Sequence, residues 1–185
     1  MKTDETTRPV AGSAAPTVEV VKLERVEVAG MRRDLRVRER REWTRRTLPR
    51  VAAALRDVGA EPSGPAMSVL RARTDGTLEV TVGYPVRAVS PEPSLTVELL
   101  PEGGAVRAVH LGPYDSMMGT YDLLVEWLVG HHHEVGLLMW EEYLIGSDTT
   151  DNPALYQTRA VYPLSTVRAG SVLAASARPA PGDSR

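Results

Sequence analysis

The chain has 185 residues, enough for one domain and short for two, and a composition of 42% hydrophobic and 25% charged residues lets it bury a core of its own. It contains no cysteine, which excludes disulfides, Cys-ligated zinc and thiol catalysis. The net charge of −2 hides an uneven spread: nine arginines stand against three acidic residues between Arg32 and Arg50, so the remainder is acidic.

No apolar run approaches the roughly 20 residues of a membrane-spanning helix. The N-terminal stretch lacks the apolar core of a secretory signal, so a cytoplasmic protein without membrane contact is expected. Phenylalanine is absent, and three Trp and six Tyr, each with a polar handle, supply all the aromatic surface.

In chain order, residues 1–16 are polar and small and read as a disordered tail, as do the Ala-, Ser- and Pro-rich residues 167–185. Val18–Leu23 and Arg25–Met31 alternate like strands. From 40 to 58 the period changes. Trp43, Thr47, Leu48, Val51, Leu55 and Val58 recur at helical spacing and the run stops at Gly59. Pro49 should kink this helix or mark a later start near Thr47. Ala66–Arg73 and Leu78–Val86 read as a hairpin turning at Asp75-Gly76. Leu95–Leu100 and Ala105–Leu111 read as a second hairpin, around Pro101–Gly104. A helix over roughly 115–130 follows, then strands over Leu137–Leu144 and Thr158–Leu164.

The two halves repeat. Gly83–Val86 (GYPV) returns as Val161–Leu164 (VYPL), 78 residues on, and Thr17–Leu23 returns as Ser94–Leu100, 77 residues on. The expected fold is α+β: duplicated strand-strand-helix-strand-strand units, over 17–89 and 94–166, forming an antiparallel sheet with pseudo-two-fold symmetry. The crevice between the units is the natural place for a ligand.

The second unit resembles the GyrI-like small-molecule-binding domain, known also as the effector-binding domain of multidrug-responsive transcription regulators. The resemblance is carried by His110–Asp115 (HLGPYD), Gly119–Trp127, Trp140–Leu144 (WEEYL), Asp151–Pro153 and Thr158–Leu164, and more loosely by Val18–Gly30 and Leu78–Val86. It implies a stand-alone domain of 17–166 that needs no cofactor. It also implies a carboxylate at the bottom of an aromatic pocket for bulky, often cationic, lipophilic compounds. Glu141, two residues before Tyr143, matches that position. Strand alternation places Met139, Glu141 and Tyr143 on one face and Trp140 and Glu142 on the other, and the family spacing selects the first set.

A carboxylate among aromatic side chains is costly to keep charged, and a cationic ligand relieves that cost. Tyr114, in a Gly-Pro-Tyr turn, either lines the crevice or starts the helix. Tyr162, its first-unit counterpart Tyr84, and Trp43 suit pocket or core alike, while Trp127 suits the core. Met67, Met117, Met118 and Met139 suit an adaptable pocket as well as ordinary core.

Two further readings stay open. The family includes hydrolases of cyclopropane-bearing DNA-alkylating natural products, a role in which Glu141 and Tyr143 would be the acid/base pair. The third is a protein-interaction module acting on gyrase or a regulator through the Arg32–Arg50 face. Nucleic acid is not expected there, since the arginines are interleaved with acids along an amphipathic helix. His131–His133 point in different directions and form no facial metal triad, so no metal is expected.

Overall fold

The computed structural model describes residues 16–164, and both expected tails, Pro16 excepted, lie outside them. The elements are β1 (Glu19–Leu23), β2 (Val26–Leu35), α1 (Arg40–Asp57), β3 (Met67–Ala72), β4 (Leu78–Val86), β5 (Thr96–Leu100), β6 (Gly103–Leu111), α2 (Met117–Gly130), β7 (Leu138–Ile145) and β8 (Gln157–Pro163). Short 3-10 turns at Val37–Glu39 and Tyr114–Ser116 lead into the two helices.

The strands form one antiparallel sheet in the order β1-β6-β8-β7-β3-β4-β2-β5. Exchanging each strand of the first unit for its counterpart in the second (β1 with β5, β2 with β6, β3 with β7, β4 with β8) reverses this order and leaves it intact. The architecture is therefore the α+β duplication read from the repeats, with its pseudo-two-fold axis between β3 and β7.

One expected pairing is corrected. β5 and β6 do not form a hairpin around Pro101–Gly104: β5 pairs with β2 (Val26 opposite Leu100), and β6 pairs with β1 (Glu19 opposite Arg107) and with β8. Each unit lends its first strand to the other. Only Pro101 and Glu102 separate β5 from β6, yet the two strands lie near opposite ends of the sheet order. Two residues span less than about 10 Å. The sheet must curl until its ends approach, and a turn signature alone does not distinguish this from a hairpin.

The curl encloses one core. Val28, Met67, Val69, Leu100, Ala105, Trp140 and Val161 meet there from both halves of the sheet. The helices cover the opposite, outer face. α1 buries Trp43, Thr44, Thr47, Val51 and Leu55 against β2 and β4, and α2 buries Met117, Thr120, Leu124 and Leu128 against β6 and β8. α1 starts at Arg40 and runs on through Pro49. Gly59, at φ 67°, ends it: its N–H donates to the Arg56 carbonyl, and the Ala60 N–H donates to that of Leu55. The β3–β4 hairpin turns at Gly76, at φ 80°, with the Asp75 carboxylate accepting from the Thr77 N–H. Between the helices, the outer face of the central strands β3 and β7 is left for a site.

Candidate functional site

The registers locate the symmetry axis. Tyr84 and Tyr162 are counterparts 78 residues apart. Met67 pairs with Gly83 and Trp140 with Val161, which makes Met67 the counterpart of Trp140 and Ser68 the counterpart of Glu141. Ser68 and Glu141 are also paired directly across β3 and β7.

A cavity of about 740 Å³ opens beside this pair, between the start of α1, the Tyr114–Ser116 turn and the Gly146–Asp148 loop. Tyr84, Tyr114, Tyr143 and Tyr156 line it, with Leu48, Pro49, Ala66 and Met117. The Tyr114 ring meets Tyr143 edge-on at 5.9 Å and lies tilted against Tyr156 at 5.1 Å. Its charged lining comprises Arg38, Arg40, Arg41 and Arg45 with Glu42, Glu141 and Asp148. A second cavity, about 700 Å³, opens on the inner side of the sheet beside Leu137, Leu138, Pro163 and Leu164.

Glu141 is only 3% exposed, and both of its oxygens accept hydrogen bonds. Oε1 accepts from Arg40 at 2.6 Å and from the Tyr121 hydroxyl. The Tyr143 hydroxyl bridges Oε2, at 2.9 Å, and Ser68 Oγ, at 2.8 Å. Ser68 Oγ in turn lies 3.4 Å from Thr44 Oγ1. Burial, the largest single effect, opposes the charge on Arg40, but the attraction of Glu141, that of Tyr143 and the hydrogen bond to Glu141 together outweigh it and raise the arginine's pKa. Burial and then the charge of Glu141 push the Tyr143 hydroxyl well above its ordinary value. Burial, then Tyr156, Asp148 and Glu141, push Tyr114 up to about 12. These effects keep the phenols neutral and Arg40 protonated.

Of the residues expected at the site, Glu141, Tyr143 and Tyr114 come together on this cavity. Met139 shares their face but packs beneath the helices. Trp43 is buried with Leu35, Leu70, Val80 and Val82. Tyr162 is buried beneath α2, close enough to Glu141 that burial and then this charge raise its pKa. Met67 lies on the other face, in the core inside the curl: it is one strand position out of phase with Ser68. Glu142 likewise points away, bonded to Trp140 and Arg159.

Arg40, Tyr121, Tyr156 and Asp148 were not singled out from the sequence. Arg40 carried a readable signal, because positions 40, 44, 47 and 51 continue the buried stripe of α1. The arginine run as a whole masked it. Five of its nine members, Arg32, Arg40, Arg41, Arg45 and Arg46, form ion pairs inside the molecule. Arg41 bonds Asp115 and the Tyr114 carbonyl, tying α1 to the turn. His131 stacks on Trp127 at 3.9 Å. Among the described residues there is no cluster of metal-ligating side chains and no helix long and apolar enough to cross a membrane.

No family model matches the chain, and no curated protein does. Solved structures do. The EcmrR C-terminal domain superposes with a TM-score of 0.69 at 18% identity, covering 82% of this chain and 98% of its own. SAV2435 bound to tetraphenylphosphonium superposes at 0.55 with 12% identity, covering 81% and 94%. A hydrolase encoded by lin2189 from Listeria innocua does so at 0.55 with 12% identity, covering 82% and 94%. The chain thus shares a fold with the EcmrR C-terminal domain, a tetraphenylphosphonium-bound protein and a hydrolase, the GyrI-like fold that its sequence resembles.

Proposed function

We propose that this protein binds lipophilic aromatic small molecules in the cavity between α1, the Tyr114 turn and β7. The observation that carries the reading is the convergence of four tyrosine rings on an open space of about 740 Å³ whose floor is a buried, hydrogen-bonded carboxylate. Such a cavity combines large apolar area with a few fixed polar groups, the usual make-up of a small-molecule site. The fold shared with SAV2435, whose structure holds tetraphenylphosphonium, supports ligand binding as the general role.

Glu141 is the carboxylate that the resemblance assigns to a cationic ligand. Here Arg40 already meets its charge, so a cation competes with that guanidinium for it. In the hydrolytic alternative Glu141 orients or deprotonates water and Tyr143 donates a proton. The Glu141 oxygens are committed to three donors, and Tyr143 holds its own proton firmly, which favours binding over turnover.

Titration with the uncharged fluorophore N-phenyl-1-naphthylamine tests the reading. Saturable binding is expected, weakened about tenfold or more in Tyr114→Ala, the size of effect typical of a central aromatic contact. Equal affinity in parent and variant would overturn it.

A further inference from the structure

Arg40 stands at a position that the duplication makes informative. α1 and α2 align through Thr47 with Leu124 and Val51 with Leu128, an offset of 77 that makes Met117 the counterpart of Arg40. Both residues line the same cavity. One of the two equivalent positions is therefore apolar, and the other carries a guanidinium whose side chain is only 14% exposed.

That guanidinium changes what the cavity selects. With Glu141 it forms a buried pair of no net charge, so the carboxylate offers no free attraction to a cation. Two of its donors are used, on Glu141 and on the Tyr121 hydroxyl. A guanidinium has five, which leaves others for an acceptor in the cavity. The rest of the charged lining holds one acid without an ion pair among the described residues, Asp148, and it lies at an exposed position. Arg45 is paired with Glu42, Arg41 with Asp115, and Arg38 forms no ion pair among the described residues. A cation would meet Arg40 before it met Glu141, and would have to break a 2.6 Å charge-assisted bond to replace it.

We infer that Arg40 is the specificity-determining residue of the site and directs it to neutral and anionic aromatic compounds, those carrying a carboxylate, sulfonate or phenolate. This inference rests on the proposed small-molecule function. It makes the arginine the reason that a cavity with a buried glutamate does not prefer cations.

Three fluorescent probes separate the possibilities: anionic 1-anilinonaphthalene-8-sulfonate, cationic rhodamine 6G and uncharged N-phenyl-1-naphthylamine. The parent should bind the sulfonate more tightly than the cation. Arg40→Met should lose about tenfold or more in sulfonate affinity, the scale of one hydrogen bond to a charged group, and gain a similar factor for the cation. Arg40→Lys should keep the parent's order. The doubly neutral Arg40→Met/Glu141→Gln, which leaves no buried charge unpaired, should lose the sulfonate without gaining the cation. A parent that prefers the cation, or sulfonate affinity unmoved in both Arg40→Met and the double variant, would overturn the inference. If the uncharged probe binds in a Tyr114-dependent way and yet charge preference ignores Arg40, the inference fails alone. If the uncharged probe does not bind at all, the small-molecule reading falls with it.

Discussion

Ser68 and Glu141 face each other across the β3–β7 ladder, and each is also the other's counterpart in the duplicated unit. The pseudo-two-fold axis passes between them, with a serine on one side and a buried carboxylate on the other. The surroundings follow the same logic: Thr44 reaches Ser68 in the first unit as Tyr121 reaches Glu141 in the second. The site thus lies where two copies of one fold meet, and its polarity comes from positions at which the copies differ.

The Glu141–Arg40 pair should be costly to break from one side. Glu141→Gln leaves the Arg40 charge in a site with little solvent, and an effect of about 3 kcal/mol on unfolding is expected. Urea denaturation measures it. The double variant Arg40→Met/Glu141→Gln should recover most of the loss, because no buried charge remains. Equal midpoints for Glu141→Gln and the parent would mean that the pair contributes nothing.

Stability should fall in strong alkali for a reason set by the tyrosines. Tyr114 is raised to about 12, by burial first and then Tyr156, Asp148 and Glu141. Tyr143 is also raised well above its ordinary value, by burial and then Glu141. In the unfolded chain both ionise near pH 10. A group whose folded pKa lies above its unfolded value contributes stability fully below the unfolded pKa and loses it as pH rises through the folded one. Stability should therefore hold to about pH 10 and decline toward pH 12, and the double variant Tyr114→Phe/Tyr143→Phe should decline less. Absorbance at the phenolate band should report fewer than six ionised tyrosines at about pH 11 while the fold persists. Ionisation of all six with native circular dichroism would contradict this.

Gly30 and Gly83 lie opposite each other in the β2–β4 ladder. A Cβ on Gly83 would run into the Ala29 carbonyl and the Gly30 backbone, and one on Gly30 into the Val82 carbonyl. Gly83→Ala should cost about 1–3 kcal/mol through forced separation of these strands. Thermal unfolding of the variant checks it, and an unchanged midpoint would show that the strands part freely.

Much of this was legible in the residues. The recurrence of Tyr84 at Tyr162 carried the duplication, the Trp43–Leu55 stripe carried α1, and strand alternation put Glu141 and Tyr143 on one face. What escaped was long-range. Turn chemistry at Pro101–Gly104 is local, and the exchange of first strands between units is not, so a hairpin was read where the chain crosses between the ends of a curled sheet. Met67 is an apolar neighbour of Ser68, and a single residue of phase sends it to the opposite face. Arg40 was hidden by its company. Among nine arginines it is the one that continues the buried stripe of α1 to the carboxylate of Glu141, 101 residues along the chain.

The most direct measurement maps the uncharged aromatic probe by NMR on the isotope-labelled protein. Perturbations should concentrate at Tyr114, Tyr143, Gly146 and Tyr156, around the cavity on the outer face of the sheet. Perturbations confined to Leu137, Leu138, Pro163 and Leu164, around the cavity on the inner face, would contradict the account.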